Sequence, residues 1–364
     1  MNQETKRILV DAREFTRGRL TGIGRVLIGL LDALAAGDNS IELVLALQDN
    51  RLLPTMFNDR KNIKTHIVPL SFWRSEIRLS QLSGRGFSLF ISPYPKLPLF
   101  GCRCRAVHII HDVLDLTHPA YRKKTKVHFD AWRLKRALKM SDLTWYDSQW
   151  SLDQTRTYAG VVGKNPRVRY PGIDEAFVPD RDEKDPSIWK KYGLERGYIL
   201  ALGNGLPHKN LGVLLEVQVL LPRKLVLVGV SEKNRLYWES KTPSKQARWI
   251  GHVEDDDLPS IIRGAFCLAQ PSTAEGYGYP PLEAMACGTP VVASHIPILS
   301  ETTGSVALYA DPRNPRAWQL ALETLENDGI YRSQAEKGLK WVHPLIGRRA
   351  WAKYISDVYE LLSA

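Results

Sequence analysis

The run Ala265–Ser294, AFCLAQPSTAEGYGYPPLEAMACGTPVVAS, decides how this chain folds. Ala265 to Gln270 is a continuous apolar stretch of strand length, and Pro290 to Ser294 is another. Between them, Leu282 to Cys287 reads as the core of a buried helix. Pro280 and Pro281 suit its first turn, where a missing N–H costs little, and Gly288 suits its C-terminal cap. The loop Glu275-Gly276-Tyr277-Gly278-Tyr279 then offers backbone N–H groups beside the positive end of a helix dipole, a place for phosphate or pyrophosphate. Carboxylates are repelled by such an anion, so Glu275 and Glu283 are expected to meet hydrogen-bond donors such as sugar and ribose hydroxyls. Glu283 has a structural alternative as half of a capping box in the first helical turn; Glu275 has no comparable structural task.

The same strand–helix alternation extends in both directions. Ile8–Val10, Ile41–Leu47, Ser88–Ile91 and Ala106–Ile110 read as strands. A helix over Val26–Leu34 places Val26, Leu27, Leu30, Leu31 and Leu34 on one face, and another spans about Pro119 to Met140. Periodicity fails over Tyr170–Trp189, where prolines and charges accumulate, and restarts with YILALG at Tyr198, KLVLVGV at Lys224 and ARWIG at Ala247. The pattern predicts an α/β protein of two Rossmann-like, doubly wound domains facing a cleft, with boundaries at 1–172 and 173–349. Ligands of such sheets lie beyond the carboxyl ends of the strands.

Three further segments follow predicted strands. In LGNGLPHKNL, His208 and Lys209 stand where a strand gives way to a helix, and Lys209 is a point charge for a phosphate. Gly22 and Gly24, with Arg25 beside them, open the Val26 helix. They lack the third glycine of a dinucleotide fingerprint but would let the backbone approach a diphosphate. His111 and Asp112 end a buried strand, where a histidine can hydrogen-bond a reacting sugar. No metal site is expected. Cys102, Cys104, His108 and His111 follow strand alternation, and in Glu254–Asp257 either Asp255 or Asp256 reads as a helix N-cap.

Composition is ordinary for a globular chain of 364 residues, with 44% apolar and 24% charged residues. The formal charge of +11 calls for an anionic partner. No stretch has the length of a bilayer span or the pattern of a signal peptide, and four cysteines make no disulfide framework, so the expected location is cytoplasmic. Arg122, Lys123, Lys124, Lys126, Arg133, Lys135, Arg136 and Lys139 share a predicted helix with Phe129, Trp132, Leu134 and Leu138, a pattern suited to an anionic membrane surface. Ser71–Phe87 is a second basic, aromatic stretch. No nucleic-acid motif accompanies the charge.

Together these segments resemble family 4 of the retaining glycosyltransferases, which have the GT-B fold. Glu275 and Glu283 match its pair of glutamates separated by seven residues. LGNGLPHKNL resembles its phosphate-binding segment, DAREFTRGRLTGIGRV its N-terminal glycine loop, and HDVLDLTHPAYR its histidine-bearing segment. DSQWS and YPGIDEAF fall in the family's order. The resemblance implies that Glu275 contacts donor-sugar hydroxyls and that Gly276, Tyr277, Gly278 and Tyr279 hold sugar and diphosphate. It assigns the ribose to Glu283, the leaving diphosphate to Lys209, and a place near the anomeric centre to His111. Gly22, Gly24 and Arg25 would close over the diphosphate, the backbone from Ile250 to Val253 would read the base, and residues 350–364 would cross back to the first domain. His208 stands where many members carry arginine, Tyr279 where the side chain is usually aliphatic, and YPGID lacks a common asparagine. No cofactor is implied. The expected partners are a nucleotide-sugar donor, a glycan acceptor, whose lipid linkage is suggested by the basic first domain, and an anionic membrane. The variants present look most like mannosyltransferases using GDP-mannose; a UDP-sugar enzyme or a catalytically silent nucleotide-sugar-binding subunit is the alternative.

Overall fold

The structure, a computed structural model, describes residues 5–16, 21–37, 40–119, 126–180, 183–218, 220–242 and 247–363. The chain forms two compact units, Met1–Gly172 with Gly347–Ala364, and Ile173–Ile346. The return to the first unit thus begins at Gly347, three residues before the position expected from sequence.

In the first unit seven parallel strands lie side by side: β1 (Lys6–Asp11), β2 (Ile41–Leu47), β3 (Ile63–Ile67), β4 (Leu89–Ser92), β5 (Arg105–Ile110), β6 (Leu143–Tyr146) and β7 (Pro166–Val168). Their order is β3-β2-β1-β4-β5-β6-β7, so the sheet changes direction of winding between β1 and β4. The helix Gly22–Ala35 buries Val26, Leu27, Leu30, Leu31 and Leu34, the face expected from its spacing. Gly22 and Gly24 are not in a loop ahead of this helix but in its first turn. Thr21 caps it, accepting from the Gly24 N–H at 3.0 Å and donating to Glu14 at 2.5 Å.

The helix expected from Pro119 begins only at Val127 and runs to Met140, preceded by a short turn of helix, Leu114–Thr117. Residues 120–125, with Arg122, Lys123 and Lys124, lie outside the described residues. Leu134, Ala137 and Leu138 are core. Arg133, counted with the basic surface from sequence, is buried; it pairs with Glu76 at 2.8 Å, and Arg13 holds the other oxygen of Glu76 at 3.2 Å. What remains outside is an aromatic strip. Phe72 touches Trp73 and Phe129, and Phe129 stacks on Trp132, with Trp73 and Trp132 58% and 50% exposed.

Residues 347–363 are fastened to the first unit by polar and aromatic contacts. On the helix Ala352–Ser363, Asp357 accepts from the Trp145 indole at 2.8 Å and pairs with Arg167 and Arg169. Trp351 packs so tightly on Gly29 that a Cβ there would lie 2.3 Å from its ring.

The second unit repeats the plan with six parallel strands: β8 (Tyr198–Leu202), β9 (Leu225–Val228), β10 (Arg248–Ile250), β11 (Ala265–Gln270), β12 (Val291–Ser294) and β13 (Leu308–Ala310). The order β10-β9-β8-β11-β12-β13 places the change of winding between β8 and β11. Its core is built from strand residues Ile199, Leu227, Ala269 and Val292 against Leu214, Trp318 and Leu322 of covering helices. Two doubly wound parallel sheets are therefore the fold, as the alternation of apolar runs predicts. Asp255 and Asp256 do not cap the helix Leu258–Gly264. Asp257 occupies that position without capping through its side chain, which instead accepts from Lys191 at 2.6 Å and Tyr192 at 2.9 Å.

Candidate active site

The loops after β8 and β11 meet at the switch point of the second sheet, the place where open α/β sheets hold ligands. They are sewn together by backbone and amide contacts. Thr273 N–H donates to the His208 carbonyl at 2.8 Å, and Asn210 Nδ2 donates to the carbonyls of Pro271 at 3.0 Å and Pro312 at 2.7 Å. Asn210 adopts φ +52°, a turn that suits asparagine. A Cβ on Gly203 would press on the Lys209 stem at 3.3 Å, so the glycine leaves room for that side chain to lie across the strand end.

Lys209 and Glu275 are brought together by these loops. Lys209 Nζ donates to Glu275 Oε1 at 2.7 Å and Oε2 at 2.9 Å. Glu275 Oε1 accepts two more bonds, from Ser272 Oγ at 2.6 Å and Gln270 Nε2 at 2.5 Å. Gln270 Nε2 also donates to Ser272 Oγ at 3.0 Å. Burial pushes the Glu275 carboxyl up, but the Lys209 charge, the bonds from Lys209 and Ser272 and the nearby His208 outweigh it and hold it below the usual carboxylate range. Glu275 is therefore an ionised carboxylate at 9% exposure. Gln270 and Ser272 were not singled out from sequence, since one polar residue at a strand end carries no periodic signal.

The helix that follows runs Tyr279–Ala286, with Gly278 as its N-cap at φ +91° and Gly288 just beyond its end at φ +71°. The prolines fall at the second and third helical positions, which removes two N–H groups that would otherwise need acceptors. Among the described residues the N–H groups of Gly276 and Gly278 have no protein acceptor. Tyr277 and Tyr279 meet edge to face at 5.2 Å. Glu283 is the fifth helical residue rather than part of the first turn, and Gly278 has no side chain to complete a capping box; the box is thereby excluded. Glu283 is almost wholly buried on the same helix. Ile250 and Val253 are buried too, and the Ile250 carbonyl accepts from the Gly229 N–H at 2.9 Å.

The remaining sequence candidates lie in the first unit. His111 follows β5, and both its ring nitrogens face acceptors: Nδ1 meets Asp147 Oδ2 at 2.5 Å and Nε2 meets the Pro93 carbonyl at 2.9 Å. A carbonyl only accepts, so Nε2 carries a proton, and the carboxylate holds a second on Nδ1. Burial alone pushes the imidazole pKa down; Asp147, by charge and hydrogen bond, then Pro93 and Asp112, raise it to about 9. His111 is therefore a protonated ring held between two acceptors. Gly22, Gly24 and Arg25 stand at the N-terminus of the helix Gly22–Ala35, where a Cβ on Gly22 would meet nothing within 4 Å. Local packing therefore gives no reason for glycine at this position.

Residues 184–340 match the model of glycosyl transferases group 1. Over 357 residues, 91% of this chain and 94% of the other, the chain is 28% identical to O-antigen chain mannosyltransferase B of Escherichia coli. It is 30% identical over 233 residues to the O-antigen chain mannosyltransferase RfbU of Salmonella typhimurium, covering 61% of this chain and 62% of that one. Among solved structures, HepE of Anabaena in complex with UDP-glucose superposes over 98% of this chain and 99% of its own, with TM-score 0.76 and 17% identity.

Proposed function

We propose that this chain, a GT-B glycosyltransferase that resembles bacterial mannosyltransferases, moves mannose from GDP-mannose onto a surface polysaccharide under assembly, with retention of configuration and without a metal. The observation that carries the proposal is the Lys209–Glu275 pair at the switch point of the second sheet, beside the open N–H groups of Gly276 and Gly278. Lys209 and these amides take the diphosphate, Glu275 the sugar hydroxyls, and Glu283 the ribose.

In the reaction the bond from the anomeric carbon to the diphosphate oxygen breaks, and the electron pair leaves with the diphosphate. The acceptor hydroxyl oxygen bonds the anomeric carbon on the same face, and its proton passes to the departing phosphate oxygen. Positive charge grows on the sugar and negative charge on the diphosphate. Lys209 and the helix N-terminus stabilise the second of these. His111 is assigned a place near the anomeric centre, where Nε2 donates to the donor sugar by exchanging the Pro93 carbonyl for a sugar oxygen.

The exposed strip of Phe72, Trp73 and Trp132, with Lys135 and Lys139 exposed nearby, supports an acceptor presented on a lipid at the cytoplasmic face of an anionic membrane. Each basic residue near such a surface contributes about 1 kcal/mol. Among the described residues no helix is long and apolar enough to cross a membrane. A UDP-sugar is the second reading of the donor, favoured by the superposition on the UDP-glucose complex of HepE.

The test is transfer of radiolabel from GDP-mannose and from UDP-glucose to a lipid extract of the source cells by the purified protein, with the anomeric linkage of the product read by NMR. Retained mannose linkage is expected. Label from UDP-glucose alone would replace the sugar, and no transfer from either would leave a silent subunit.

A further inference from the structure

The four hydrogen bonds that three side chains give Glu275 are unevenly shared between its two oxygens. Oε1 accepts from Gln270, Ser272 and Lys209, whereas among the described residues Oε2 accepts from Lys209 alone. Gln270 and Ser272 are buried at the end of β11 and in the turn after it, so their two bonds are fixed by the sheet. Lys209 reaches the same carboxylate on a flexible stem from the other loop, and its head is the partly exposed member of the cluster.

We propose that Lys209 masks the sugar-reading oxygen of Glu275 until a diphosphate draws the ammonium away, and that Gln270 and Ser272 are positioning residues that hold Glu275 in place when this happens. The inference rests on the donor-site reading above. A diphosphate carries more charge than one carboxylate and offers more acceptor oxygens, so it competes effectively for a lysine. When Lys209 leaves, Oε1 keeps two donors and the carboxylate does not swing. Oε2 then has a vacant acceptor position that a sugar hydroxyl fills. Sugar recognition is thereby coupled to diphosphate binding, and coupling of this kind is reciprocal. A free monosaccharide finds the position covered, whereas a nucleotide diphosphate uncovers it.

The positioning role is tested by calorimetry with GDP and GDP-mannose, and with UDP and UDP-glucose in parallel, on wild type, Gln270→Met, Ser272→Ala and Ser272→Thr. For whichever pair binds, the expected result is a sugar-dependent gain in affinity that falls about tenfold or more in Gln270→Met and Ser272→Ala. Affinity for the bare nucleotide should change less than about threefold in both. Ser272→Thr, which keeps the hydroxyl, should restore the gain. An unchanged gain in both variants, or an equal loss for nucleotide and conjugate, would overturn the positioning role while leaving the donor site standing.

Masking is tested separately by saturation-transfer NMR on the free sugar of the pair that binds. Its signal should need the nucleotide diphosphate, and binding of equal strength without nucleotide would overturn the masking. Failure of the wild type to bind either nucleotide would remove the donor-site reading itself, and the inference with it.

Discussion

His111 is clamped between a carboxylate and a carbonyl, and both contacts demand a proton on the ring. If it serves the reaction in that form, the rate is level from about pH 6 to 8 and falls as pH rises through about 9. Asp147→Asn removes the charge that raises the pKa, so the alkaline limb moves down toward the ordinary imidazole range; a pH–rate profile of both proteins checks this. The same pair contributes stability that is fully present below the unfolded imidazole value and is lost as pH rises through about 9. His108 behaves in the opposite sense. It is wholly buried in β5, neither ring nitrogen has a partner among the described residues, and desolvation pushes its pKa down to about 3. The folded state favours the neutral ring, so stability is full above about pH 6.5 and declines as pH falls toward 3. His108→Leu should therefore recover about 2 kcal/mol at pH 5 relative to pH 7.5, read from urea unfolding at the two pH values. At this scale the sequence announced groups with a repeated context, such as Lys209 after a strand and Glu275 before glycines. Asp147, Gln270 and Ser272 escaped it because their roles depend on atoms 36 residues, five residues and three residues away.

The unit from β11 through the helix Tyr279–Ala286 to β12 is where sequence and structure agree most closely. The bounds of β11 coincide with those expected, β12 begins one residue later at Val291, and the prolines and Gly288 fall where their backbone chemistry places them. Gly278 holds the turn into this helix at φ +91°, and a Cβ there would lie 2.8 Å from Leu299 Cδ2. Gly278→Ala should lower stability by about 1–3 kcal/mol from the left-handed backbone and the crowding together, measured by thermal unfolding with and without nucleotide. Other elements were silent in the sequence for physical reasons. β7 and β13 are edge strands of three residues, β3 is a partly polar edge strand, and β6 has only four residues, too few for any period to show. The basic helix was misread at its start and on its surface, because Arg133 spends its charge on a buried acid from another element.

Taken whole, the chain places a ligand-ready switch point in the second sheet and ties its last residues to the first unit. Asp357 is the fastening. Burial works against its charge, but the bonds from Arg169, Trp145 and Arg167 hold its carboxyl below the usual range. Asp357→Ala strands two arginines and an indole, so the first unit should lose about 3 kcal/mol, seen as an earlier unfolding transition reported by Trp145. The two-domain plan was legible because each buried strand is a nearly unbroken apolar run, whereas the return at Gly347 has no such mark. The central claim, that the Lys209–Glu275 cluster is the diphosphate end of a nucleotide-sugar site, is tested most directly by calorimetric titration of GDP and UDP into wild type and Lys209→Ala. We expect one nucleotide to bind the wild type and its affinity to fall about tenfold to a hundredfold in the variant, the loss of one charge-assisted contact. Binding that is unchanged by Lys209→Ala, or absent for both nucleotides in the wild type, would contradict it.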